Sequence, residues 1–157
     1  IYQRFIIFIL IGDLLKLDID MKKFEKINYK KLNSRQKENY NYQKISSILA
    51  EYGFSTIRLS DDWQSADFIA QHYKNKTFLK VQLKGRLGID KKYMNKDLWI
   101  CFRIKKNLYL YPHDEVADFI VANSNISNTL SWSKRGRYNW PRIPSRFLKF
   151  LDQYKLD

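Results

Sequence analysis

Between residues 34 and 52 the apolar or aromatic positions Tyr42, Ile45, Leu49 and Tyr52 recur near the helical period. A helix is predicted there, with Asn33 or Ser34 as its cap and Gly53 as its stop. The period then shortens to that of strands: residues 54–59, a polar turn through Asp61 and Asp62, residues 66–70, a second turn at 74–76, and residues 77–84. Three short strands in this order predict a meander. Beyond Gly85 and Gly88, residues 97–104 read as a buried strand and 108–111 as another after a Lys-Lys-Asn turn. Pro112 opens a helix reaching about Ala122, because proline is tolerated in a first turn and Asp114 and Glu115 suit its positive end. A last helix is expected over about 145–154. Together these elements predict an α/β domain of mixed, α+β character.

The pattern carries chemistry in Phe78-Leu79-Lys80-Val81-Gln82-Leu83-Lys84. Alternation assigns Leu79, Val81 and Leu83 to the core face, and Lys80, Gln82 and Lys84 to the other. Asp67 opens the preceding strand, and a hairpin between the two can carry it close to Gln82 and Lys84. An acid, an amide and a lysine would converge. Such a group suits phosphodiester hydrolysis: the carboxylate holds Mg²⁺, the ion stabilises charge on the phosphate, and the lysine activates water or neutralises developing charge. Alternation alone equally admits an ordinary amphipathic strand with Asp67 as a turn residue.

Charge narrows the choice of partner. The chain has 29 Lys and Arg against 16 Asp and Glu in 157 residues, a formal charge of +13, which points to a polyanion, with nucleic acid first and a merely solubilising surface as the alternative. No basic amphipathic helix suggests a membrane surface. Between Asp118 and Asp152 there is no acidic residue, while Lys134, Arg135, Arg137, Arg142, Arg146 and Lys149 are interleaved with Trp132, Tyr138 and Trp140. This basic region, 131–149, is the expected DNA-reading surface, with Arg86, Lys91 and Lys92 as further phosphate contacts. A solvated basic loop anchored by two tryptophans is the alternative. Cys101 is a lone cysteine in an apolar run, which excludes an intrachain disulfide and reads as core filler in a reducing, cytoplasmic setting. Residues 5–11 are apolar but too short to span a bilayer. The character of the chain changes at Met21, so residues 1–20 read as an N-terminal extension to a single domain over 21–157.

Asp67 followed by Gln82-Leu83-Lys84 after an amphipathic helix resembles the core of the PD-(D/E)xK nuclease superfamily. Val81-Gln82-Leu83-Lys84-Gly85-Arg86, Ile89-Asp90-Lys91-Lys92-Tyr93, Asp97-Leu98-Trp99-Ile100 and Tyr111-Pro112-His113-Asp114-Glu115 resemble its bacterial, cyanobacterial-type, group I intron-encoded homing endonucleases. The resemblance covers about residues 33–151. It implies a restriction-endonuclease-like αβββαβ core and a site-specific endonuclease that cuts double-stranded DNA with Mg²⁺ or Mn²⁺. Asp67, Gln82 and the backbone carbonyl of Leu83 would hold the metal, and Lys84 would act beside it. Relatives often add an acid from the first helix, for which Glu38 is the candidate and Glu51 the second choice. Two departures stand out: Ala66 replaces a proline of no chemical role, and neutral Gln82 replaces an acid, which weakens a metal site. Cutting both strands with one active site per subunit calls for a homodimer or homotetramer. The competing readings are a catalytically inactive DNA-binding protein on the same scaffold and a junction-resolving or repair nuclease.

Overall fold

A computed structural model describes residues 25–156. Residues 25–33 belong to a unit separate from the rest of the chain. They contain a 3-10 turn, Tyr29–Lys31, whose Lys30 N–H is accepted by the side chain of Asn28. The extension expected over residues 1–20 lies outside the described residues.

From Ser34 onward the chain forms one compact unit. Its first helix, α1 (Ser34–Glu51), buries Ile45 and Leu49 and stops before Gly53, whose φ of +80° ends helical hydrogen bonding in the left-handed region. Strands β1 (Phe54–Trp63), β2 (Ala66–His72) and β3 (Phe78–Lys84) follow as an antiparallel meander. The first hairpin turns at Gln64 and Ser65, both with positive φ, and not at Asp61 and Asp62 as the sequence suggested. A two-residue turn of this kind needs φ > 0 at both central positions, and β1 runs on past the two aspartates to Trp63.

Strand β4 (Gly88–Asp90) leads through a 3-10 turn to β5 (Leu98–Ile104), which lies parallel to β3. Strand β6 (Asn107–Pro112) returns antiparallel and runs directly into α2 (His113–Ala122). A single turn, α3 (Leu130–Ser133), precedes β7 (Arg137–Asn139); α4 (Ser145–Leu151) and β8 (Lys155–Leu156) close the unit. The six-stranded mixed sheet has the order β1-β2-β3-β5-β6-β8, and β4 pairs with β7 as a two-stranded sheet.

This is the mixed α+β architecture that the sequence implies, with a helix, a three-strand meander and a parallel strand beside it. The parallel connection departs from the expected αβββαβ order, because residues 85–97 carry β4 and a 3-10 turn and the second α-helix comes only after β6. The last helix is likewise shorter than expected and ends in a 3-10 turn at Asp152–Tyr154.

Two apolar clusters cover the sheet. One joins α1 to Phe68, Ala70, Leu79, Val81 and Cys101. The other joins β4, β5, β6, α2 and α4 through Ile89, Ile100, Phe102, Tyr111, Ile120 and Phe147. Truncating Phe68, Phe102 or Phe147, which are large and fully buried, to alanine costs roughly 3–5 kcal/mol of stability. Cys101 is fully buried, and burial pushes its thiol well above the ordinary range, so it is packing material and not a nucleophile. No helix among the described residues is long and apolar enough to cross a membrane.

Candidate active site and cationic cleft

The β2–β3 ladder runs from Gln71↔Phe78 to Phe68↔Val81. One residue further, a side chain takes over from the backbone. Asp67 Oδ2 accepts the Leu83 N–H at 2.6 Å and also the side-chain amide of Gln82. Gln82, Leu83 and Lys84 remain paired in register with Ile100, Cys101 and Phe102 of β5. Asp67 therefore bridges two strands just where their own ladder ends. Asp67, Gln82 and Lys84 are all half-buried, deep enough for ordered geometry and open enough to be reached.

The sequence expected Gln82 to offer oxygen. In this arrangement its Nε2 faces Asp67, and the same nitrogen lies 3.5 Å from the Leu83 carbonyl. Turning the amide over exchanges the donor for an acceptor. No cluster of three or more His, Cys, Asp or Glu side chains suited to a metal is present among the described residues. Asp67, the Leu83 carbonyl and a turned Gln82 amide supply oxygen donors with a single carboxylate. Such a set fits Mg²⁺, which is commonly bound by one or two carboxylates, retained waters and substrate phosphates, and it fits as a weak site.

Lys84 reaches away from this group. Its Nζ donates to the Tyr93 hydroxyl at 2.6 Å and lies 4.8 Å from the ring centroid. Tyr93 is buried in the 3-10 turn Lys91–Tyr93, so the crossover segment fixes the lysine. Beyond it opens a cleft of about 500 Å³ whose lining includes Lys84, Arg86, Lys92 and Arg137, with Asp90 as its one acid. Four cations face that single carboxylate, which caps the 3-10 turn by accepting the Lys92 backbone N–H, so the cleft carries a net positive charge.

Glu38 is elsewhere in its bonding. Its carboxylate pairs with Arg58, which also binds Asn39 and lies over Tyr42. Arg58 is the cross-strand partner of Phe68 and so shares the α1 face, whereas Asp67 follows the opposite parity. The structure thus gathers Asp67, Gln82 and Leu83, turns the Lys84 ammonium towards Tyr93 and the cleft and not into the group the sequence predicted, and leaves Glu38 in a separate ion pair.

The remaining basic residues are exposed, but the segment carrying them is built rather than loose. The β7 strand pairs with β4, Lys91 N donates to Gly136 O at 2.7 Å, and Trp140 is buried. Lys91 lies 5.2 Å from the Trp132 ring. Arg86 and Arg137 line the cleft; Lys134 and Arg135 flank it in sequence; Arg142 lines a second hollow on the other side of Arg86; and Arg146 lies on α4 over Phe147.

Sequence reasoning gave no role to Tyr93 or His113. His113 is fully buried at the start of α2; Asp114 holds Nδ1 at 2.8 Å, and Nε2 accepts the Asp90 N–H at 3.2 Å. These partners select the neutral tautomer with its proton on Nδ1. The ring ties α2 to the cleft strand β4. The tripeptide Pro112-His113-Asp114 was visible, but nothing local pointed it at residue 90.

No family model and no curated protein matches the sequence. Among solved structures, the Holliday junction resolvase of the archaeal hyperthermophile Archaeoglobus fulgidus is similar, at 14% identity over 45% of this chain and 74% of that one, with a TM-score of 0.35. At that degree of similarity nothing is carried over.

Burial holds the His113 pKa below its ordinary value, with Asp114, Asp90 and Asp118 opposing the shift. A depressed folded-state pKa means that the unfolded chain binds the proton more readily, so stability is full above the ordinary histidine range and falls as pH drops through about 6.5. Tm is expected to fall between about pH 7.5 and 5.5, and His113→Gln is expected to start lower and to flatten that slope. Equal slopes in thermal melts of the two proteins would remove His113 as the source.

Proposed function

We propose that this chain is a site-specific endonuclease that hydrolyses phosphodiester bonds of double-stranded DNA, with Mg²⁺ or Mn²⁺ held by Asp67, the Leu83 carbonyl and Gln82. The observation that carries the reading is the junction of the Asp67–Gln82–Leu83 group with a cationic cleft through Lys84. The bound ion would supply Lewis-acid stabilisation of charge on the phosphate. Asp67 orients Gln82 and the Leu83 backbone. Lys84, held by Tyr93, presents a fixed positive charge to a phosphate oxygen in the cleft. Arg86, Lys92 and Arg137 neutralise neighbouring phosphates, and Lys134 and Arg135 extend the same surface. The homing-endonuclease assignment within this class is supported by the motif resemblance alone. It brings with it assembly as a homodimer or homotetramer and action within the cytoplasm.

A second reading is favoured by one observation: Asp67 Oδ2 is already served by an amide and a backbone N–H. A protein that binds DNA without cutting it would have that arrangement. The test is incubation with randomised linear duplexes, with and without Mg²⁺, and sequencing of new ends. The expected result is discrete Mg²⁺-dependent ends, with Asp67→Asn and Lys84→Ala each slowing cutting by about a hundredfold or more. Binding should survive in both. Binding without ends in any protein supports the inactive scaffold, and cutting confined to four-way junctions supports a resolving nuclease.

The metal has its own signature in Gln82→Glu. A glutamate would set a second carboxylate against Asp67, which destabilises the metal-free protein by like-charge repulsion and strengthens the cation site. The Tm of this variant is expected to drop without metal and to recover with millimolar Mg²⁺ or Mn²⁺, by more than the parent protein gains. A Tm indifferent to both ions in both proteins would refute the proposed donor set.

A further inference from the structure

Glycine is the residue that lets a ligand come close to the backbone, at a cost in chain entropy. Gly53 and Gly136 have φ of +80° and +68°, and a Cβ on Gly88 would stand 3.2 Å from Asn139 Cβ and 3.3 Å from the Tyr138 carbonyl oxygen. Those three are required by the fold. Gly85 is not, because its φ lies outside the range that favours glycine and a Cβ there would meet no atom within 4 Å.

Gly85 is exposed immediately after β3 and borders two hollows at once. One is the cleft beside Lys84. The other, of about 520 Å³, places Arg86, Arg103, Lys105 and Arg142 around an apolar wall that includes Trp140 and Ile143, and no carboxylate lines it. Its volume is that of a ligand pocket. Arg103 Nε is buried with no hydrogen-bond partner. A buried donor left unmet costs stability, and the charged guanidinium that carries it, a lining group of the hollow, is suited to an anionic oxygen.

We infer that a DNA strand crosses the protein at Gly85–Arg86, one phosphate resting on the Gly85 backbone and the adjoining nucleotide entering the hollow between Arg103 and Arg142. The guanidinium groups take its phosphate and the apolar wall takes its deoxyribose. This rests on the DNA-cutting reading and deepens it: the strand leaves Lys84 over the Gly85 saddle and is held on the far side. Neither Arg103 nor Lys105 belongs to the basic segment around β7.

The test measures binding of a fluorescein-labelled randomised duplex in EDTA, so that cutting plays no part. Gly85→Val fills open space and is expected to keep its Tm while raising Kd about tenfold. Arg103→Met is expected to weaken binding and to reduce the salt slope by about one. In a second measurement, millimolar deoxynucleoside 5′-monophosphates are expected to shift the amide NMR signals of Gly85 and Arg103 and the Trp140 indole signal; inorganic phosphate alone is not. Gly85→Val and Arg103→Met that bind like the parent protein would overturn the crossing while leaving the endonuclease reading intact, and an equal response to phosphate would overturn the nucleotide pocket. Parent protein that binds no duplex at all refutes the DNA reading on which both stand.

Discussion

The hydrogen bond from Leu83 N–H to Asp67 Oδ2 is the constraint on which the site depends. A backbone donor in a half-buried strand needs an acceptor, and where two strands stop pairing a side chain must provide it. Asp67 does so from one residue beyond the last β2–β3 pair, while β3 stays in register with β5. The same bond holds a carboxylate against the carbonyl-bearing backbone of Leu83 and orders the Gln82 amide between them. A structural need and a chemical opportunity coincide in one oxygen atom. The neutral Gln82 eases this arrangement, since an acid in its place would confront Asp67 across a hydrogen-bonding distance unless a cation lay between them.

The second requirement is a wall for the cleft, and it is supplied by residues that add little to the main sheet. The segment 85–97 connects two parallel neighbours, and such a crossover usually contains a helix. Here β4 pairs instead with β7, which comes about fifty residues later, and His113 fastens the end of β4 to the start of α2. Leu87, Ile89 and Tyr93 of this segment supply the packing a crossover helix would contribute, and what ties it to α2 is the buried ring. Its cost is acid sensitivity, because a protonated Nε2 cannot accept from Asp90.

The helical period at Tyr42, Ile45 and Leu49 and the alternation through 78–84 were strong enough to locate α1 and the meander, because each buries one face against a large core. The convergence of Asp67 with Gln82 followed from parity across a hairpin. The strands β4, β7 and β8, of three, three and two residues, are too short to show a period and exist through long-range pairing. The turn at Gln64–Ser65 was missed because Asp-Asp is the stronger local signal, whereas the backbone needed positive φ two residues later. Glu38 was assigned by helix position, yet Arg58, twenty residues away, takes its carboxylate, and no local pattern reveals that.

The cations of the cleft differ from ordinary surface charges in what they rest on. Lys92 lies over Tyr93 and Lys91 over Trp132, while Lys84 is held at the edge of Tyr93 by the neutral hydroxyl. A carboxylate partner would neutralise each ammonium and have to be displaced before a phosphate could bind. An aromatic face holds the cation by about 0.5–1 kcal/mol at an exposed site while leaving its charge uncompensated. Clustered like charges of this kind repel one another and lower the stability of the empty protein. A polyanion reverses that repulsion, and the gain grows with each phosphate it brings. The aromatic residues around the cleft are therefore part of its electrostatics: they position positive charge without neutralising it, which is what the proposed binding of DNA asks of the cleft before the proposed chemistry at Asp67 can begin.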